Sequence, residues 1–225
     1  MKKVHIILLC VFVFLCIVTV SDAYAHDIKF MLGGSLSKYK IQPEVYFTGT
    51  EEIRNEVSYK NGFLMGVGIE LALAKNMALE IDALYLQKGS QEQQVTFPLE
   101  IYGPETNYTF HAISVPALLK IRLTPGTSPY ILGGAEIAMC VSHWKSTPDA
   151  SIPEYPYYGG VYITDTTTRF DFSIVFGTGF EFKANGGKFF IEGRYHYGLS
   201  NIAKRPIYWE SAKTRTIVLL VGFKI

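Results

Sequence analysis

FDFSIVFGTGFEFK, residues Phe170–Lys183, is the stretch whose reading decides the fold. Successive side chains of a β-strand point to opposite faces. One face of this stretch carries Phe170, Phe172, Ile174, Phe176, Thr178, Phe180 and Phe182. The other carries Asp171, Ser173, Val175, Gly177, Gly179, Glu181 and Lys183. Phe63–Leu73 behaves the same way, with Phe63, Met65, Val67, Ile69, Leu71 and Leu73 set against Leu64, Gly66, Gly68, Glu70 and Ala72. Runs of this length reach or exceed the roughly 9–11 residues that a tilted membrane-spanning strand needs.

Six further alternating segments flank these two: Asp27–Ser37, Met77–Lys88, Thr109–Leu123, Tyr130–Ser142, Lys188–Leu199 and Thr214–Ile225. Eight strands is an even number, which suits a closed antiparallel bacterial barrel. The connections alternate in length. Short turns are expected at Ala74-Lys75-Asn76, at 124–128 and at Ala184-Asn185-Gly186-Gly187, where Asn, Gly and Pro favour tight reversals. Long loops are expected at 38–62, 89–108, 143–169 and 200–213. This short–long order implies both termini and the short turns in the periplasm, with the long loops outside. The fold class is therefore all-β: a transmembrane antiparallel up-and-down barrel of eight strands, preceded by a helical signal peptide.

That leader is read from Lys2 and Lys3, the uncharged apolar run Val4–Val20, and the small-residue signal Ala23-Tyr24-Ala25. Cleavage after Ala25 would leave residues 26–225 as one barrel domain. Neither Cys10 nor Cys16 follows a small residue, which argues against a lipoprotein. The leader takes two lysines and one aspartate from 21 basic and 20 acidic residues, leaving 19 of each. Such a balance gives no reason to expect a nucleic-acid partner. Cys140 alone remains, so no disulfide framework or thiolate metal site is available, and the cysteine is expected to pack as a small apolar residue. The histidines do not cluster at metal-ligand spacing. No cofactor is expected.

The two faces imply different surroundings. Ile28, Phe30, Leu32, Leu79, Ile81, Tyr85, Val115, Ala117, Leu119, Ile121, Ile217, Leu219, Val221, Phe223 and Ile225 form an uncharged face suited to outer-membrane lipid. Aromatic girdles are expected from Phe170, Phe172 and Tyr197 at one rim, and from Phe180, Phe182, Phe189 and Phe223 at the other. The inward face holds Glu70, Glu80, Asp82, Glu136, Asp171, Glu181 and Glu192 against Lys29, Lys88, Lys120, Arg122, Lys183, Arg194 and Lys224. An eight-stranded interior is filled by side chains. The charges therefore predict an interior plugged by one ion-pair network, with Gly66, Gly68, Gly177 and Gly179 making room for it.

Several segments also resemble a known family. His111–Leu123, with Pro116 followed by Leu118-Leu119-Lys120, resembles a strand of the bacterial outer membrane protein beta-barrel domain family, a small porin-like group that includes PorT-like proteins. Pro129–Ala135, Phe176–Glu181 and Glu192–Asn201 resemble its later strands. The resemblance implies a Gram-negative outer membrane, insertion by the barrel-assembly machinery, and no catalytic residues. The end Phe223-Lys224-Ile225 departs from the family's aromatic final residue.

A hydrolase needs a nucleophile within hydrogen-bond reach of a base. His111 and Ser114 are three apart and fall on opposite faces; Ser142 and His143 are adjacent and do likewise. His196 is expected as a packed interior histidine beside Arg194 and Glu192. Trp144, Tyr155, Tyr157, Tyr158 and Tyr162, interspersed with prolines, make the 143–169 loop the candidate contact surface for a surface partner; a periplasmic partner is the other option. The expected function is structural or interactive and non-enzymatic. A narrow porin-like channel or a PorT-like secretion component is the alternative, and a lipid-modifying hydrolase the weakest reading.

Overall fold

A computed structural model describes residues 26–124, 128–148, 158–204 and 210–225. The expected leader, with Ala23 and Ala25, lies outside these described residues. The strands are β1 (His26–Gln42), β2 (Val45–Thr48), β3 (Glu51–Ser58), β4 (Lys60–Ala74), β5 (Met77–Phe97), β6 (Ile101–Tyr102), β7 (Thr106–Arg122), β8 (Ser128–Pro148), β9 (Tyr158–Tyr162), β10 (Phe170–Ala184), β11 (Gly187–Gly198) and β12 (Ser211–Lys224).

Eight of them close a ring in the order β1–β4–β5–β7–β8–β10–β11–β12. The first and last strands seal it, from Lys29 opposite Lys224 to Gln42 opposite Ser211. Every pair in the ring is antiparallel. Closure leaves no unpaired edge in lipid, where an orphaned backbone group would cost several kcal/mol. Ile28 and Ile225 exchange backbone hydrogen bonds, so the start of β1 and the end of β12 sit at one end of the barrel, hereafter the terminal end. Lys75-Asn76 and Asn185-Gly186 turn the chain there. Gly186 has φ +84°, a conformation that side-chain-bearing residues rarely adopt.

The opposite, far end differs from the expected loops. Much of 38–62, 89–108 and the described part of 143–169 is strand, whereas in 200–213 only the first three residues of β12 are. β5 and β8 each run 21 residues, on the order of 70 Å along the strand at ~3.4 Å per residue. A lipid band ~25 Å tall takes only part of that. Above it, the hairpin β2–β3 adds to β5 and β9 adds to β8. The wall β3–β5–β7–β8–β9 thus stands high, whereas β10 begins at Phe170 and β11 stops at Gly198. Segments such as Gln91–Phe97 are too polar to register as membrane strand, yet pair in solvent as well as any sheet.

The faces fall as the alternation predicts. Ile28, Phe30, Leu32, Val115, Leu119, Ile217, Leu219 and Val221 are exposed on the outside. The rings of Phe189 and Phe223 meet at a tilt, centroids 4.8 Å apart, at the terminal rim. A bulge between His111 and Ala112 on one strand and Ser142 and Cys140 on the other shifts β8 by one residue, which turns His143 inward.

Candidate functional site

The barrel interior is the candidate site, because charged side chains from all eight ring strands meet there. Close to the terminal end, Lys120 of β7 lies 2.9 Å from Glu70 of β4 and 2.8 Å from Glu80 of β5, and pairs with Glu181 of β10. Lys224 of β12 reaches Glu70 and Glu181 at 2.8 and 2.7 Å. Arg122 pairs with Glu70, and Lys29 of β1 with Glu80. Arg194 of β11 binds Asp82 at 2.8 Å and also Glu192. Tyr130 donates its hydroxyl to Glu192 at 2.7 Å and lays its ring 3.8 Å beneath the Lys120 ammonium. Five carboxylates and five cations are therefore joined, and a rim pair, Lys188–Asp27 at 3.3 Å, adjoins them. Lys29, Glu80 and Arg194 are fully buried.

A second cluster lies towards the far end. Lys88 of β5 contacts Glu136 at 3.0 Å and Asp171 at 3.2 Å, and Glu136 also holds His196 Nδ1. Thr214 and Ser200 donate to Asp171 at 2.8 and 3.0 Å. The two clusters are separated by apolar layers. On β5, Leu84 and Leu86 stand between Asp82 and Lys88; on β12, Leu220 and Val218 stand between Lys224 and Thr216. These four leucine and valine side chains belong to one buried cluster with Met31, Leu64 and Phe190. Ser114, Ser173 and Thr216 hydroxyls and His196 Nε2 are buried without a protein hydrogen-bond partner. By register Ser173 faces Glu136, and Thr216 faces His196.

Two expectations need correction. The charges form two clusters and not one network: Glu70, Glu80, Asp82, Lys120, Arg122, Glu181, Glu192 and Arg194 are joined, whereas Glu136 belongs to the second group. The tilt of the strands sets which inward residues share a level, and alternation alone does not contain it. Lys183 is also no part of the network. It is exposed on the last rung but one before the β10–β11 turn, opposite Lys188, where water solvates an ammonium far more cheaply than a dry interior does. His196 takes its place as the seventh group able to carry positive charge, and its partner comes from a strand sixty residues away.

The glycines act partly as expected. A Cβ on Gly68 would lie 2.1 Å from Asp82 Oδ1, and one on Gly177 would crowd Leu132 and Arg194. Gly179 makes room for Tyr130, and Gly66 for Leu84. Sequence reasoning missed Tyr130 and Thr214 as neutral members of the clusters, although their inward alternation with Leu132 and Thr216 carried the signal.

The far end closes over an apolar cap of Tyr39, Ile41, Tyr108, Ile163, Ile202 and Ala212. His143 sits beneath it, 3.1 Å from Tyr39 Oη and 2.8 Å from Thr167 Oγ1, whose own hydroxyl donates to Ile163 O. His111 is on the outer face, bonded to Tyr85, while Ser114 is buried inside. Neither histidine is bonded to a serine hydroxyl. Cys140 packs with Phe110, Ala112 and Ala138. Among the expected loop contacts, Trp144 and Tyr162 are strand residues of β8 and β9 whose rings meet edge-on at 4.5 Å. Tyr158 opens β9, and Tyr155 and Tyr157 lie outside the described residues.

Comparison with known proteins accords with this geometry. The family described as outer membrane protein beta-barrel domain matches residues 25–204. The chain belongs to that family. The outer membrane protein beta-barrel domain family places it in a Gram-negative outer membrane. No curated protein matches the chain. Among solved structures, it is similar to the outer membrane protein OprG of Pseudomonas aeruginosa, at 13% identity and TM-score 0.44 over 90% of this chain and 97% of that one. Neisserial surface protein A is similar at 11% identity and TM-score 0.45, over 88% and 96%. Ail, the attachment invasion locus protein of Yersinia pestis, is similar at 14% identity and TM-score 0.40, over 89% and 99%, in a complex with the heparin analogue sucrose octasulfate.

Proposed function

We propose that this outer-membrane barrel is a non-conducting, non-enzymatic scaffold that holds a tall β-wall above the cell surface for a protein partner. The observation that carries the reading is the filled interior. Lys29, Leu64, Glu80, Leu118, Tyr130, Val175, Glu192 and Val218 come from all eight ring strands, and each is at most 1% exposed. A water-filled lumen would leave such residues wet. The wall supplies the contact surface: Phe47, Leu99, Ile101, Tyr102, Val161 and Tyr162 are exposed on it, above any lipid-facing rung. Exposed apolar side chains gathered on one wall suit protein contact. Both termini then lie in the periplasm, after removal of the leader, and the barrel-assembly machinery inserts the chain.

Photo-crosslinking in intact cells from positions 47, 99 and 102 tests this reading. A discrete adduct from the wall, lacking when the probe sits at Lys75 in the terminal turn, is expected. Adducts from Lys75 and none from the wall would overturn the outward placement. A second reading, a narrow gated channel, draws on one observation: the unpartnered hydroxyls of Ser114, Ser173 and Thr216 around the far cluster are polar groups that water could follow.

A further inference from the structure

Immediately above the lipid-facing band, the seam between β1 and β12 carries four cations on its outer face. Tyr39, Ile41 and Thr214 point inward and are buried, so Lys38, Lys40, Lys213 and Arg215 belong to the outer face; Arg215 lies flat against the wall and is 9% exposed. Register sets them opposite one another, Lys38 against Arg215 and Lys40 against Lys213. Like charges directly opposite on neighbouring strands repel. Among the described residues none of the four makes an ion pair with an acid. Glu210, three residues from Lys213, is held by its backbone to Gln42 and does not pair with them. Two successive rungs of uncompensated positive charge lack an anion.

Their depth identifies the anion. The next outward rung towards the terminal end is Leu36 opposite Ile217, 44% and 43% exposed, followed by Gly34 opposite Leu219, which is 63% exposed. One outward step along a strand is ~6.8 Å at ~3.4 Å per residue. The cations therefore stand where hydrocarbon gives way to headgroups. Aromatic rings brace two of them: the Arg215 guanidinium lies 3.7 Å from the Tyr197 ring and the Lys38 ammonium 4.7 Å from the Tyr59 ring. Arg215 Nη1 donates to the carbonyls of Gly198 and Thr214, both at 2.7 Å, which fixes the guanidinium against the barrel wall. Arginine held in one orientation suits phosphate recognition, since its planar fork can donate twice to one anion.

We propose that this seam binds the phosphate groups of a phosphorylated glycolipid in the outer leaflet. The leaflet assignment rests on the outward placement of the far end given above; the affinity for lipid phosphate does not. The probe is the whole barrel in bilayer nanodiscs, released into native mass spectrometry, with bisphosphorylated lipid A or the same lipid after phosphatase treatment added to neutral lipid. Retained bisphosphorylated lipid is expected, with weak retention of the dephosphorylated form. Each juxtamembrane cation contributes about fivefold in affinity for an anionic surface. Neutralising all four (K38Q, K40Q, K213Q, R215Q) should therefore weaken retention by roughly several hundredfold. The charge-preserving set K38R, K40R, K213R and R215K should keep most of it, as should the terminal-end control K75Q with K183Q.

Equal retention of both lipid forms, or no loss in the neutralised barrel, overturns the proposal. So does displacement of the lipid by millimolar inorganic phosphate, which would show a site for free anion. Heat-modifiable gel migration of each variant confirms that the barrel has folded. Cysteine placed at Gly49 and labelled by an impermeant reagent on intact cells reports the leaflet separately. Lipid retention without surface labelling would keep the phosphate site and overturn only the outward placement.

Discussion

At the terminal end of the barrel, five carboxylates meet five cations and nearly every charge has two or more opposite neighbours. Nearer the far end, Lys88 faces Glu136 and Asp171, and Glu136 holds His196, with three hydroxyls close by that bond to nothing in the protein. The same closed interior thus contains one saturated network and one sparse cluster. The difference lies in how sharing is arranged. Lys120 serves Glu70, Glu80 and Glu181 at once, so its removal exposes three carboxylates to one another. In the far cluster the polar neighbours are chiefly hydroxyls, which lose little when a neighbour is shaved.

The largest expected effect follows from that contrast. Lys120→Met strands buried carboxylates and should cost about 3–5 kcal/mol, as breaking a buried ion pair from one side does. Urea unfolding of the refolded barrel in detergent micelles measures it. A loss below about 1 kcal/mol, within the range of exposed pairs, would mean that the terminal network is not dry. An intermediate effect is expected for Gly68→Ala. The added Cβ, 2.1 Å from Asp82 Oδ1, must push that carboxylate away from Arg194. Overpacking of this kind costs roughly 1–3 kcal/mol. The midpoint should recover when Asp82 is shortened by pairing Gly68→Ala with Asp82→Ser; a strictly additive double variant would show that the contact is irrelevant.

The smallest effect belongs to the far cluster. Ser173→Ala breaks no hydrogen bond to protein and should change stability by less than about 0.5 kcal/mol. If the unfolding midpoint fell as far as in Gly68→Ala, the hydroxyl would be engaged and the two clusters would be alike. Lys88→Met, the one large effect expected in the far cluster, should lie between Lys120→Met and Gly68→Ala, near the lower end of the range for one-sided ion-pair loss, because it uncovers two carboxylates and not three.

The lipid-facing and inward faces were legible because lipid and a packed interior impose opposite polarities on a period of two residues. Phe170–Lys183 shows both at once, and the structure departs from that reading only at Lys183, whose position beside the turn lets it leave the barrel. The height of the far wall was not legible. Glu51–Ser58 and Gln91–Phe97 pair in solvent, where no apolar stripe is demanded, so they look like loop. The candidate site was half legible. Every charge read as inward except Lys183 does lie inside, yet the division into two clusters depends on strand tilt, which brings Glu136 beside His196 and Lys120 beside Glu70. The basic seam was hidden for the same reason: Lys38 and Arg215 are 177 positions apart in the chain and become neighbours only when the first and last strands close the ring.

The central claim is that this ring is closed and filled. Purified, refolded barrel in a planar lipid bilayer measures that directly. The account predicts no unitary conductance at moderate voltage for the unmodified chain. Stable, uniform conductance steps from the unmodified barrel would contradict it.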